Sequence, residues 1–314
     1  MKNTLVVDGD NLFRIGFYGV KNFYTKGKHV GAIYHFLNTI KRHIQAHNYN
    51  KIVVFWDGSE NSSFRKKLFL HYKDNRKSRN LSEEQQESYN FQRQRVKQYL
   101  EELFVRQSEF NVCEADDNIA FYCQNSENET KVIFSSDKDL TQLISDDVKV
   151  FSPTNSYMYE LGDKIELNNV DIPTYNVALT KIFVGDKSDN IDGIQMLGEK
   201  TFVKLFPKVL DEEVSIENII EQAERIFSDD KNNRIINNIL TGKTKRGVFG
   251  EEFLNINKQI VDLSVPLLTD EAKNDILELE KKYSDINKST ISQLIQLGVN
   301  KNRALCSNYL KVFE

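Results

Sequence analysis

The chain is short of cysteine, of long apolar runs and of surplus positive charge. Each shortage excludes something. Three cysteines in 314 residues (Cys113, Cys123, Cys306), none in a CxxC pair, cannot build a disulfide framework or a zinc ribbon. They fit a reducing compartment, so a cytoplasmic location is expected. No apolar run approaches a membrane span, and the start Met1-Lys2-Asn3-Thr4-Leu5-Val6-Val7-Asp8 turns acidic too soon for a secretory signal. No membrane association is expected. A net charge of −4 argues at first against nucleic acid. The count changes if carboxylates are gathered around cations: with eight set aside, 42 basic groups face 38 acidic ones. Length and an ordinary soluble composition allow one large or two modest domains, and no internal repeat is visible.

What is present is a series of short apolar runs that end in acid. Leu5-Val6-Val7-Asp8, Ile52-Val53-Val54-Phe55-Trp56-Asp57, Phe110-Asn111-Val112-Cys113-Glu114-Ala115-Asp116-Asp117 and Val132-Ile133-Phe134-Ser135-Ser136-Asp137-Lys138-Asp139 share this form. A fifth cluster, Gly185-Asp186-Lys187-Ser188-Asp189-Asn190, follows. Such runs read as buried parallel strands. Between them, residues 31–47 place Ile33, Phe36, Leu37, Ile40 and Ile44 on one helical face, and Val96, Leu100, Leu103 and Phe104 do the same. Residues 116–123 read as a helix. Strands alternating with helices over residues 1 to about 180 predict an α/β fold with a mostly parallel central sheet and helices on both faces. From about residue 181 to 314 the chain turns helical and loop-rich.

In open α/β sheets ligands bind at the carboxyl ends of the strands. Carboxylates gathered there repel unless cations separate them. Hard divalent ions take oxygen ligands and suit phosphate chemistry, and a pair of them is the usual device for phosphodiester hydrolysis. A lone aspartate after a strand is more often a helix cap or turn former. Five clusters together favour a site.

Residues 64–79 carry Arg65, Lys66, Lys67, Lys73, Arg76, Lys77 and Arg79 against Asp74 alone, with Phe64, Phe69 and Tyr72 interleaved. A charge run is commonly a solvated face, but bases alternating with aromatics also suit phosphates and stacked bases. Two other patterns are structural. Gly193-Ile194-Gln195-Met196-Leu197-Gly198-Glu199-Lys200-Thr201 nearly spells a phosphate-binding loop, but Glu199 displaces the lysine and no apolar strand precedes it. His43 and His47 share a helix face without the glutamate that a metalloprotease needs.

Six stretches resemble the 5′ nuclease superfamily, closest to its phage ribonuclease H type. They are Val7-Asp8-Gly9-Asp10-Asn11-Leu12 with Arg14, Phe55-Trp56-Asp57-Gly58, Tyr72-Lys73-Asp74-Asn75-Arg76, Glu114-Ala115-Asp116-Asp117, Ser136-Asp137-Lys138-Asp139-Leu140-Thr141-Gln142-Leu143 and Gly185-Asp186-Lys187-Ser188-Asp189-Asn190-Ile191. They stand in the family's order across residues 4 to about 206. The resemblance implies a PIN-like nuclease core over residues 1–180, a helical arch at about 60–95, and a helical region at 181–314 with a helix–hairpin–helix-like DNA-binding motif at about 185–206. It implies Asp8, Asp57, Glu114 and Asp116 as ligands of a first Mg²⁺, with Asp137 near both ions and Asp139, Asp186 and Asp189 at a second; Mn²⁺ is an expected substitute. Lys73, Arg76, Asp116 and Asp137 carry the implied catalysis. Arg14, Arg65, Lys66, Tyr72, Lys73, Arg76, Lys77, Arg79, Lys200 and Lys204 carry the implied DNA contact.

The implied activity is structure-specific 5′ nuclease action, as 5′-3′ exonuclease and flap endonuclease. The substrates would be DNA and RNA–DNA hybrids with a 5′ flap or end, cleaved by a monomer in primer removal. A single-strand-binding protein or sliding clamp is an expected partner class, although the tail Asn308-Tyr309-Leu310-Lys311-Val312-Phe313-Glu314 holds no clear clamp peptide. Asp192, Met196 and Phe202 depart from the family hairpin, Met196 standing where a glycine is usual. Two other readings remain: a haloacid-dehalogenase-type phosphatase with Asp8 as nucleophile, and a non-catalytic binder of DNA structure on the same fold.

Overall fold

A computed structural model of the chain describes residues 2–282 apart from 26, 48, 50, 79, 80, 103, 104, 128 and 251. Arg79, Leu103, Phe104, Cys306 and the tail at 308–314 therefore lie outside the described residues. In chain order the elements are β1 (Lys2–Asp8), α1 (Gly9–Gly19), β2 (Tyr24–Thr25), β3 (Lys28–His29), α2 (Gly31–Ala46), β4 (Lys51–Trp56), α3 (Ser63–Leu68), α4 (Glu83–Glu102), β5 (Arg106–Glu109), α5 (Ala115–Asn125), β6 (Glu129–Phe134), β7 (Val148–Ser152), β8 (Tyr157–Tyr159), β9 (Lys164–Leu167), β10 (Val170–Pro173), α6 (Val177–Val184), α7 (Glu199–Leu205), α8 (Ile216–Asp229), α9 (Arg234–Leu240), α10 (Glu252–Val261) and α11 (Asp270–Lys282).

The main sheet runs β5-β4-β1-β6-β7-β8. Its first five strands are parallel and β8 returns antiparallel on β7. Alternation along each strand supplies both faces with apolar side chains. Leu5, Val7, Ile52, Val54 and Trp56 pack with Leu12, Phe13, Phe36 and Ile40 of α1 and α2 and with Val96 and Leu100 of α4. Val6, Val53, Phe55 and Ile133 pack with Ile119 and Ala120 of α5 and with Ala272 and Ile276 of α11. Full burial of one such side chain contributes about 1.5–3 kcal/mol. The expected mostly parallel sheet, covered on both faces, is therefore present.

One expected strand is displaced. The run Phe110-Asn111-Val112-Cys113 is a turn, and the strand lies before it in Arg106-Gln107-Ser108-Glu109. β5 is the sheet edge, so it needs less apolar side-chain area than a central strand.

β1 and β6 are neighbours, and the chain leaves them in opposite directions, towards β4 and towards β7. That is the switch point at which a crevice opens beyond the strand ends. A third apolar cluster joins Leu179, Phe183, Phe202, Phe206, Ile219, Ile236 and Phe253 of α6–α10, and Tyr72, Leu68 and Phe69 pack onto it. The segment after β4 is thereby rooted in the helical layer that follows β10. Among the described residues, no helix is long and apolar enough to cross a membrane.

Candidate active site

A cleft of about 750 Å³ opens at the switch point. Asp8, Asp57, Glu114, Asp116, Asp137, Asp139, Asp186 and Asp189 all line it, with Arg14, Lys73, Arg76, Lys181 and Lys245. Six of these eight carboxylates arrive from a strand end or helix start. Asp8 closes β1 and caps α1, accepting from the Asn11 amide at 3.0 Å and from Ser135 Oγ at 2.8 Å. Asp57 follows β4, accepts from the Ala115 amide at 2.9 Å and pairs with Arg14 at 3.0 Å. Glu114 and Asp116 stand at the start of α5. Asp137 follows β6 and accepts from the Asp139 amide at 2.9 Å. Asp186 and Asp189 lie in the turn after α6. That turn closes through Gly185, at φ +80, and Gly193, whose added Cβ would meet Val184 O at 1.8 Å.

The electrostatics divide these groups. Burial, with Asp57 and Asp137 close by, raises the Asp8 carboxyl to about 7. Burial and then the charges of Asp137, Asp8, Glu114 and Asp57 raise Asp116 well above the carboxylate range. Burial opposes ionisation of Asp57 as well, but Arg14, the Ala115 amide and Lys73 hold it below its usual value. Asp139 is raised to about 6, chiefly by burial. Three or more carboxylates share low-dielectric space, and the proton is the only charge relief for those without a basic partner.

Basic side chains stand between the others. Lys73 Nζ reaches Glu114 Oε2 at 2.7 Å and lies 3.9 Å from Asp189, while Arg76 pairs with Asp189. Tyr72 Oη donates to Glu114 or Asp189, each at 3.2 Å. Lys181 bridges Asp139 and Asp186, 2.6 Å from the latter. Asp189, expected with Asp139 and Asp186, thus keeps company with Glu114, Tyr72, Lys73 and Arg76. Lys73 has φ 57, in the left-handed region, which costs about 1–2 kcal/mol for a non-glycine residue.

Two expected DNA contacts are corrected. Arg65 is 4% exposed: its Nη atoms reach Asp117 at 2.5 and 3.1 Å and its Nε donates to Ile260 O at 2.9 Å. Tyr72 is 2% exposed, its ring in the helical core and its hydroxyl turned to the carboxylates. A charge run read without a periodicity does not say which members face inward. Lys66 is half-buried, 3.9 Å from Asp74, and Lys77 lies in the short 3-10 turn Asp74–Ser78. Arg14 faces the cleft, and Lys200 and Lys204 are exposed on α7.

Lys181 went unsingled in the sequence. Its signal is a lone cation within the apolar helix Val177–Val184, five residues before Asp186. Asp10 was passed over too; Arg93 clamps both its oxygens at 2.9 Å, and its Oδ2 accepts from the Asp57 amide, which fixes the turn after β4.

The donor set fits hard divalent cations. Every candidate ligand is an oxygen, Glu114 Oε1 is buried with no hydrogen-bond partner, and Asp8 and Asp116 carry uncompensated repulsion. Among the described residues no three carboxylates already stand in an ion-ligating arrangement, and Arg14, Lys73, Arg76 and Lys181 hold several of them.

A family profile, the 5′-3′ exonuclease N-terminal resolvase-like domain, matches residues 3–169. The chain is 31% identical over 232 residues to a 5′-3′ exonuclease of Buchnera aphidicola subsp. Schizaphis graminum, covering 72% of this chain and 76% of that one. It is 29% identical over 321 residues to a 5′-3′ exonuclease of Aquifex aeolicus, covering 100% and 97%. The bacteriophage T5 D15 flap endonuclease, solved with DNA and metal ions, aligns with TM-score 0.65 and 22% identity over 94% of this chain and 100% of its own. At that identity the likeness speaks for the fold.

Proposed function

The chain belongs to the 5′-3′ exonuclease family, and on that premise we propose that it is a metal-dependent, structure-specific 5′ nuclease. The observation that carries the reading is the convergence of eight carboxylates from separate segments in one cleft, with Lys73 and Arg76 at its side. Asp8, Asp57, Glu114 and Asp116 are the proposed ligands of one ion, Asp137 lies between, and Asp139 and Asp186 serve a second, with Asp189 as an outer partner. Mg²⁺ is the proposed metal and Mn²⁺ its substitute, from the all-oxygen donor set. When bound, such ions supply activation of a water nucleophile and charge relief on the leaving oxygen.

The chain's own residues orient and compensate. Arg76, 47% exposed at its side chain, is placed to bind a phosphoryl oxygen once released from Asp189. Lys73 holds Glu114 and brings a second positive charge to the developing anion. The Asp8 caps keep its carboxylate aimed into the cleft. Residues 1–180 act as the nuclease core, with the arch at about 60–95. Residues 181–314 act as the duplex-binding part, through the hairpin at about 185–206 with Lys200 and Lys204. The proposed substrates are DNA and RNA–DNA hybrids with a 5′ flap or 5′ end, and the proposed role is removal of primers and flaps. The phosphatase reading is disfavoured by the family match.

The test is a 5′-labelled flap duplex incubated with and without Mg²⁺. Short 5′ products that need the metal, lost in Asp116→Asn, are the expected result. No short products, or an Asp116→Asn protein as active as wild type, would sink the reading.

A further inference from the structure

The long helix α4 (Glu83–Glu102) is poor in apolar side chains, and its buried residues are Gln92, Val96 and Leu100. The first of its side chains to reach the sheet layer are therefore polar. Gln92 Oε1 accepts from the Ala32 amide, at the start of α2, at 2.9 Å. Arg93, the next residue, reaches the segments that follow β1 and β4 and the end of β5. Its Nε and Nη2 donate to the two oxygens of Asp10 at 2.9 Å, and its Nη1 donates to Glu109 at 3.0 Å. Its Nη2 also donates to Asp57 O at 3.0 Å, and the guanidinium lies 5.2 Å over the Trp56 ring.

These contacts close on Asp57. The Asp57 amide donates to Asp10 Oδ2 at 2.8 Å, Asp10 is gripped by Arg93, and Arg93 returns to Asp57 O. The Asp57 backbone thus sits in a closed ring of hydrogen bonds that leaves its carboxylate free for the cleft side, where the Ala115 amide and Arg14 meet it. Asp10 is 3% exposed, and neither Asp10 nor Arg93 is among the residues lining the cleft. A two-pronged guanidinium–carboxylate pair fixes orientation as well as adding strength. The ring therefore sets the direction in which Asp57 leaves β4. An ion ligand must be held closely in place, and the partners behind it control its affinity.

We propose that Asp10 and Arg93 are positioning residues for the Asp57 carboxylate, and that through them the root of α4 sets the affinity of the ion proposed at Asp8, Asp57, Glu114 and Asp116. The proposal rests on the nuclease reading above and deepens it. Charge alone gives a different result for one member of the pair. Removing Asp10 takes away a negative charge and should weaken a cation on either account. Removing Arg93 takes away a positive charge beside Asp57, which by electrostatics should tighten the cation, whereas loss of the ring should weaken it.

The experiment titrates the full chain, without nucleic acid, with Mn²⁺ and reads the free ion by electron paramagnetic resonance. Arg93→Gln and Asp10→Asn should each weaken one Mn²⁺ site by about 10- to 100-fold. Arg93→Lys keeps the charge without the two-pronged grip, so it should fall between Arg93→Gln and wild type, and it decides the matter if Arg93→Gln does not fold. Glu109→Gln cuts the Arg93 and Lys97 contacts that lie outside the ring and should bind Mn²⁺ as wild type does. On a 5′-flap duplex, excess Mn²⁺ should recover the turnover of Arg93→Gln, with the half-saturating ion concentration raised by the same factor as the binding constant. Mn²⁺ binding in the Arg93 variants as tight as in wild type, or tighter, overturns the clamp and leaves the nuclease reading standing. An equal loss in Glu109→Gln also overturns it, as a general loosening of α4. Failure of the wild-type protein to bind Mn²⁺ at millimolar concentration overturns both.

Discussion

Replacing Arg65 with alanine separates burial from DNA contact in the basic segment. The guanidinium of Arg65 joins three parts of the chain: α3, which carries it, Asp117 of α5 through both Nη atoms, and Ile260 O of α10 through Nε. Asp117 is 1% exposed and its Oδ1 also accepts from the Leu267 amide at 2.9 Å. Removing the arginine leaves that carboxylate buried with one neutral donor. Breaking a buried pair from one side costs about 3–5 kcal/mol, because the remaining charge keeps its desolvation penalty. At about 2.1 cal/mol/K per residue, a chain of 314 residues unfolds with about 0.66 kcal/mol/K, so the melting temperature should fall by about 5–8 °C. Thermal and urea unfolding of Arg65→Ala measure this. The double replacement Arg65→Met/Asp117→Leu should recover most of the loss, since it removes both charges and fills the space. DNA affinity of the folded Arg65→Ala protein, measured below its transition, should keep the wild-type salt slope. A variant with unchanged stability but a slope lowered by about 0.9 would refute the reasoning, because it would make Arg65 a phosphate ligand.

Three further outcomes follow from the same structure. Arg76→Ala should lower turnover on a flap substrate far more than duplex affinity, since its proposed role is at the transition state; an equal loss in both counts against it. His43 is held neutral by burial and then by His47, its pKa pushed down to about 4. Its stabilising effect is complete above about 6.5, the unfolded value, and declines as pH falls from there to about 4. The shift corresponds to about 3 kcal/mol, reduced by partial solvent screening to about 2 kcal/mol. Urea midpoints of wild type and His43→Leu compared across that window should converge or cross by that amount, and a constant difference would contradict the assignment. Met196 has φ 70 and is 62% exposed, so Met196→Gly relieves a left-handed strain without losing much burial and should stabilise by up to about 1 kcal/mol after glycine's entropic cost. A destabilised Met196→Gly in urea unfolding would show that the side chain, not the backbone, holds that turn.

The carboxylates were legible because two independent regularities agree on them. An apolar run of four to six residues marks a central strand, and an acid at its end falls at the only edge where such a sheet binds ligands. Asp8, Asp57 and Asp137 follow this rule directly. Glu114 and Asp116 reach the same cleft for another reason: they open α5, while the strand that precedes them is the polar β5. The acids after the run at Phe110 line the cleft, but the run itself is a turn outside the sheet. The basic members were less legible. Local pattern does not distinguish Arg65, turned onto Asp117, from Arg76, turned to the cleft, since each partner is more than 50 residues away. Lys181 is marked in the sequence only as a lone cation within an apolar helix, and its pairing with Asp139, 42 residues away, forms only once the helical layer has docked.

The internal cations explain how so acidic a cleft stays folded. Eight carboxylates gathered in one place would destabilise the chain if all were ionised and unpaired. The chain offsets part of this with Arg14 on Asp57, Lys73 on Glu114, Arg76 on Asp189 and Lys181 between Asp139 and Asp186. Protons cover part of the remainder, on Asp8 and Asp116. On the proposed function, bound divalent ions and phosphates would replace both forms of compensation together: the ions would neutralise the carboxylates, and the basic side chains would turn to phosphoryl oxygens. The same basic residues would then serve stability in the free chain and substrate binding in the complex. Replacing any of them with a neutral residue removes one positive charge from each state, and the balance between stability and activity should shift with how deeply that residue's carboxylate partner is buried.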